Sequence, residues 1–498
     1  MTLASIAYWG LYSVNEYNTF HTYFDLAIFT YNTYFYLHYT SYAAGLQLLV
    51  FGNHISPDMW LLVVPFYALF QSPLTLLFAE DVIVSLAGLA VFFAVRGLTG
   101  RQGLALAFCA AFLLSPGIHG ITLFDFHTEA FIPLFYILTF YFYMQVRKPQ
   151  FYASLALLLG SLESVVAIVL MLGVALLVYE QFHNKGGKTR SERRNLTYVI
   201  IVASLVATLV YYLITANLTA AYSAGDYASV PQMLYVTFGS QNGLLRLTSL
   251  SLSNFGKSVT NDIAIYVTGF YSPYTAFALL VIFLGFGVAL FASLDVAVLT
   301  VLPYLAGTFI SFKPPFILPY EQYFAFAMPG AFVAATLGAL TLLGRAAGTT
   351  RRRVQEARRM QLGSVVVVSC VIASACLCVV SPVLIRNANI ANLSQSLLFR
   401  VGPQQQVLDA QMNSVLAAIP ANASVAAAQF MMPHLTQREW LEDFSSNIRF
   451  APQYIVVDFN ANVSENAFLV QPYFYEYLGS NSYRLYVQNG TAQVYKRV

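Results

Sequence analysis

Apolar residues in this chain come in long unbroken runs, not at the spacing of an amphipathic helix or the alternation of a half-buried strand. Eleven such segments can be marked, at about 1–14, 74–95, 102–116, 126–146, 151–160, 162–180, 196–216, 271–292, 294–312, 320–344 and 362–384. Runs near 20 residues match the hydrocarbon thickness of a bilayer, so each predicts a membrane helix. The segments 102–116 and 151–160 are short for that task. Gly160-Ser161 breaks the stretch 151–180, which predicts a hairpin of two short helices with Glu163 at its tip. The first segment has no basic residues before it and no small-residue cleavage site, so it reads as a helix and not as a removable signal.

Past about residue 385 the pattern changes. An amphipathic helix is predicted near 404–418, followed by strand-like runs at Tyr454–Phe459, Tyr483–Val487 and Ala492–Tyr495. The expected fold is an all-α polytopic membrane bundle of about 11 transmembrane helices over 1–384, followed by a small extracytoplasmic α/β domain over 385–498.

Composition agrees. Of 498 residues, 58% are hydrophobic and 9% charged, against roughly 25% charged in a soluble domain. A soluble globular fold is excluded. The net charge of +3 is small and dispersed, which sets aside a nucleic-acid partner. Cys109, Cys370, Cys376 and Cys378 lie within apolar runs without metal-type partners and read as packing residues.

The basic residues orient the chain, because short cytoplasmic loops carry an excess of Lys and Arg. One topology puts fifteen inside: Arg96, Arg101, Arg147, Lys148, Lys185, Lys188, Arg190, Arg193, Arg194, Arg345, Arg351, Arg352, Arg353, Arg358 and Arg359. Before residue 385 it leaves three outside, Arg246, Lys257 and Lys313. Residues 15–73, 217–270 and everything after about 385 then face outward. Five Asn-X-Ser/Thr tripeptides (Asn217, Asn392, Asn422, Asn462, Asn489) fall on that side and Asn195 on the other. The basic loops read as topogenic patches with some affinity for anionic lipid headgroups. No internal repeat, Walker motif or dinucleotide glycine fingerprint is visible.

With so few charges, each acid near the membrane is informative. Candidates collect toward the outer side: Asp25; His54 and Asp58; Asp125, His127 and Glu129; Glu163; and Glu321 with Tyr323. A lone Asp25 can also be a helix cap, and Asp125-Phe-His127-Thr-Glu129 an interfacial helix start that favours the dipole. In a helix beginning at Asp125, Asp125 and Glu129 share a face and His127 lies about 200° round. Glu163 sits among apolar neighbours, where a carboxylate must be protonated, paired or wet. Glu80-Asp81 reads as an interfacial pair. Aromatic residues crowd Tyr8 to Tyr42; most fit an interfacial belt, and a minority reading has them line a groove for a carbohydrate or a polyprenyl chain.

Several stretches together resemble the DUF2079 family of prokaryotic membrane proteins. They are FDLAIF at 24–29, GNHISPDMWLLVVPFYALFQSPLTLL at 52–77, FDFHTEAF at 124–131, LLGSLESV at 158–165, PYEQYFAFAMPG at 319–330, AAIPANASVAAAQFMMPHLTQREWLEDF at 417–444 and QYIVVDF at 453–459. Where the family usually shows a Lys-Glu-Asp type triplet, this chain has Leu162-Glu163-Ser164, so only Glu163 carries over. The family in turn resembles the GT-C glycosyltransferases, polytopic membrane enzymes that take sugar from a polyprenyl-phosphate donor. That resemblance implies a cell-membrane enzyme acting on the outer face. Asp25 would remove the acceptor's proton, with Asp125 and Glu163 as further catalytic acids. His54, His127, Glu129, Glu321 and Tyr323 would bind substrate. Departure of the phosphate calls for a cation, and a divalent metal is one form it could take; the sequence fixes no metal ligands.

Two other classes remain open at the sequence level. A transporter or flippase for a lipid-linked substrate would be expected to show repeats and charges near the bilayer midplane. A non-enzymatic envelope scaffold would use the C-terminal domain to bind a surface partner.

Overall fold

The computed structural model describes residues 1–22, 24–39, 55–182, 189–223, 286–311, 322–345, 361–370, 372–373, 399–443, 451–458 and 482–498. Its helices are α1 (Thr2–Asn18), α2 (Phe24–His38), α3 (Val64–Leu69, entered through a π-helical turn at Met59–Val63), α4 (Pro73–Thr99), α5 (Gln102–Leu113) and α6 (Pro116–Leu123). They continue as α7 (Phe131–Gln145), α8 (Lys148–Gly160), α9 (Val165–Phe182), α10 (Arg190–Ser223), α11 (Leu294–Ser311) and α12 (Met328–Arg345). A further apolar helix, α13, spans Gln361–Cys370. After it come α14 (Pro403–Ala417) and strands β1 (Val425–Ala427), β2 (Leu441–Asp443), β3 (Tyr454–Asp458), β4 (Tyr483–Asn489) and β5 (Ala492–Arg497).

Among the described residues four helices are long and apolar enough to cross a membrane: Pro73–Thr99, Val165–Phe182, Arg190–Ile214 and Tyr323–Leu343. A fifth is added if α5 and α6, bent by 48° at their junction, count as one broken span. Local chemistry sets these boundaries. Ser72 caps α4 by accepting the Leu74 N–H at 3.3 Å, Pro73 opens its first turn, and Gly100 closes it at φ 69°. Pro116 has no N–H to continue α5, so the chain turns and restarts as α6.

The predicted hairpin is present, but only its first helix is short; the second, Val165–Phe182, is long and apolar enough to cross a membrane. Gly160 ends α8, and α9 starts at Val165. Lys148, at the start of α8, lies 3.8 Å from Glu192 of α10, and Glu180, near the end of α9, pairs with Arg193 at 2.8 Å. The start of α8 and the end of α9 therefore share one end of the bundle. Gln145, at the end of α7, reaches the Gly97 carbonyl near the end of α4 at 3.2 Å, which brings Arg96, Arg101 and Arg147 to that same basic end.

The segment 15–73, expected as an outer loop, is largely helical where it is described. The cause lies in α2, which has no continuous polar face because it is buried between two bodies. Leu26 and Phe29 join the main core with α4 to α9, α11 and α12. Ala27, Ile28, Tyr31 and Phe35 join a second core with Met412, Val415, Met431, Leu441 and Val456 of the C-terminal part. Tyr31 Oη donates to the Glu439 carbonyl at 2.5 Å, and His434 stacks on Tyr17 with ring centroids 4.2 Å apart.

The C-terminal part is a five-stranded mixed sheet in the order β2-β1-β3-β5-β4. Strand β1 is parallel to both β2 and β3, and β5 is antiparallel to β3 and β4. Three strand-like runs were legible in the sequence. The three-residue strands β1 and β2 were too short to show a period. Cys109 and Cys370 are buried free thiols, and Cys376 and Cys378 lie outside the described residues.

Candidate functional site

Four pieces of chain bring acids together at the end of the bundle opposite the basic one. Asp25 enters from the first turn of α2, where a carboxylate complements the helix dipole. Glu80 and Asp81 come from the third turn of α4 and are each 1% exposed. Asp125, His127 and Glu129 come from the link between α6 and α7, and α1 supplies Ser13 and the buried Glu16.

The link is not helical where the spacing predicted a helix. Phe124 is extended, His127 is extended, and a single 3-10 turn at Thr128–Ala130 leads into α7. A helix starting at Asp125 would carry Pro133 in its interior, where the ring removes a backbone bond and clashes with the preceding turn. Starting at Phe131 puts Pro133 in the first turn, where no N–H is required. The shared helical face of Asp125 and Glu129 is therefore replaced by a tighter arrangement.

In that arrangement His127 Nε2 lies 3.3 Å from Asp25 Oδ2, and its Nδ1 donates to the Asp125 carbonyl at 2.8 Å. With both ring nitrogens facing oxygens, the imidazole is held as a cation. Burial works against that charge, yet the hydrogen bond and charge of Asp25 outweigh it and push the His127 pKa up to about 9. Asp125 Oδ2 accepts the Leu26 N–H at 3.2 Å, which ties the link to the start of α2. Glu80 Oε1 accepts the His127 N–H at 3.4 Å, and Asp81 accepts from Ser13 Oγ at 3.0 Å. Glu129 is 2% exposed, and its Oε2 has no hydrogen-bond partner among the described residues. Phe29 and Phe124 lie against the His127 ring at 5.7 and 5.1 Å between centroids.

Exposure separates the partners. The His127 side chain is 3% exposed and that of Asp25 is 28%. Asp25 thus offers an accessible carboxylate edge backed by a buried cation, a geometry that can accept a proton or a hydrogen bond from an approaching hydroxyl.

Glu163 stands in a second constellation, at the hairpin tip. It is half-buried and accepts the Ile55 N–H at 2.9 Å. Beside it Ser161 Oγ donates to Asp58 Oδ2 at 3.3 Å, and burial pushes the Asp58 pKa up to about 7. Tyr211 of α10 donates to the Leu159 carbonyl at 2.5 Å, just before the hairpin tip. Tyr323 is half-buried in a 3-10 turn (Gln322–Phe326) that packs against α6 and against the turn carrying Glu129. His54 and Glu321 lie outside the described residues.

Sequence reasoning underrated Glu80 and Asp81. Both are enclosed by protein, and two adjacent acids inside a 27-residue apolar helix were the available signal. Among the described residues no three His, Cys, Asp or Glu side chains are arranged to hold a metal ion.

Long apolar helices and an enclosed acid cluster at one end of the bundle define a polytopic membrane protein with a polar site. The match to a family model identifies it further: residues 16–478 fit the predicted membrane protein family DUF2079, and the chain belongs to that family. No curated protein matches it. Among solved structures, the crystal structure of ArnT from Cupriavidus metallidurans in the apo state is similar at 12% identity and a TM-score of 0.43, covering 91% of this chain and 92% of that one.

Proposed function

We propose that this protein is a GT-C-like membrane glycosyltransferase that moves a sugar from a polyprenyl-phosphate donor to an acceptor at the outer face of the membrane. The observation that carries the reading is the partly open Asp25 carboxylate set against the enclosed His127 imidazolium. Asp25 takes the proton from the acceptor hydroxyl as its oxygen attacks C1 of the sugar, and the bond from C1 to the phosphate oxygen breaks with inversion. The electron pair leaves on the polyprenyl phosphate. His127 keeps Asp25 ionised and aimed, while Asp125 fixes the imidazole through its carbonyl and the α2 backbone through its carboxylate. Glu129, Tyr323 and the Glu163 constellation are assigned to substrate binding or catalysis by the family resemblance. The divalent cation that the resemblance allows finds no three-residue ligand set among the described residues.

The test is Asp25→Asn, which keeps the shape and removes the base. Membranes carrying the variant should transfer sugar from a radiolabelled polyprenyl-phosphate donor at least 10²-fold more slowly, at unchanged expression and melting temperature. Transfer at the wild-type rate would remove Asp25 from the mechanism.

A further inference from the structure

A cleft of about 790 Å³ opens between the end of α1 and the outer flank of α14, and none of the acids discussed above lines it. Its volume falls within the roughly 300–1,000 Å³ of small-molecule sites. One wall is Asn15, Asn18 and Thr19 of the α1 terminus; the other is Gln406, Asp409 and Asn413, with Arg400 on the connecting segment. The two walls belong to the bundle and to the C-terminal part, so the cleft exists only because these pack together.

Its chemistry is specific. Four carboxamides face the same space, and each offers a donor and an acceptor in one plane, the pattern that matches neighbouring hydroxyls of a sugar ring. Arg400 brings a positive charge and Asp409 a negative one, so the lining is close to neutral and does not favour a phosphate or another dianion. Phe399, Val401 and Pro403 complete the lining with apolar surface against which the C–H face of a sugar ring can pack. Asp409 is 6% exposed and is held by Gln405 Nε2 at 2.9 Å, and Asn413 Nδ2 donates to the Asp409 carbonyl at 2.9 Å. Those bonds pre-set the helix wall before any ligand arrives.

We infer that this cleft binds a saccharide, the glycan portion of the acceptor. The word acceptor rests on the transferase reading; the binding itself does not. The test therefore uses the full chain carrying Asp25→Asn, in lipid nanodiscs, so that binding is read without turnover. Saturation-transfer difference NMR with mannose, galactose, N-acetylglucosamine and their disaccharides should give signals for at least one of them. Ala410→Trp, at an exposed edge of the cleft, should reduce those signals at least tenfold by filling the space. Gln404→Ala, exposed on the same helix but off the cleft, should leave them unchanged. If Ala410→Trp does not fold, Asn413→Leu at another exposed position replaces it. Absence of any saccharide signal, signals that survive both fillings, or binding of inorganic phosphate alone would each overturn the assignment. Loss of saccharide signals in Ala410→Trp together with intact transfer in the Asp25-bearing chain would confirm the saccharide site but overturn its role as the acceptor subsite, leaving the transferase reading standing.

Discussion

The His127 imidazole is enclosed yet charged because its charge is answered by Asp25, and this makes the site sensitive to pH in a definite direction. With the pKa raised from 6.5 to about 9, the pair's contribution to stability is complete below the unfolded value. It is lost as pH rises through about 9. The melting-temperature gap between the wild type and His127→Gln should be widest near pH 6 and close toward pH 10. A gap independent of pH would mean that the imidazole is neutral in the folded protein. Asp58 titrates under the opposite pressure. Burial lifts its pKa from 3.8 to about 7, so its protonated form is the stable one and folding loses stability as pH rises through about 7. Asp58→Asn should therefore raise the melting temperature at pH 8.5, and the gain should shrink as the pH is lowered below 7; no gain at pH 8.5 would contradict this. Scarcity of charge made all these residues visible in the sequence. Their pairing was not visible, because Asp25 and His127 are far apart in the chain and meet only through the packing of α2 on the link before α7.

Among the elements, the α8–α9 hairpin shows how a single missing side chain sets a geometry. A Cβ added to Gly160 would meet Asp58 Oδ1 at 2.5 Å, so the glycine lets the segment bearing Asp58 lie against the hairpin. Gly160→Ala should cost about 1–3 kcal/mol through this overpacking, measured by thermal unfolding in detergent. In an Asp58→Ala background the cost should fall, and an unchanged cost would place the strain elsewhere. This break was legible, since Gly-Ser interrupts an apolar run. The long helices α4, α9 and α10 were legible for the same reason, their apolar runs being longer than packing alone requires. Two elements misled. The link at 124–130 has helical spacing, but Pro133 forbids the early start, and the Glu80 carboxylate accepts the His127 N–H instead. Helix α2 was hidden because a helix wedged between two apolar bodies has no polar face to betray its period.

Seen as a whole, the molecule divides its charges by end: bases at the termini of α4, α7 and α10, acids gathered where α2, α4 and the α6–α7 link meet. The two parts of the chain are joined by more than a tether. A chain ending at residue 398 would expose Ala27, Ile28, Tyr31 and Phe35, whose partners lie in the sheet and α14. Such a truncation should aggregate on size-exclusion chromatography in detergent and lose sugar transfer. A monodisperse, stable bundle would show the two cores to be independent.

The shared helix also ties the site to the C-terminal part. Asp25 opens α2, and the opposite flank of the same helix packs on Met412, Met431 and Val456 of the C-terminal part. The helix that aims the carboxylate at His127 is thus braced from the far side by the sheet domain. A substitution that loosens that brace acts on the carboxylate without touching it.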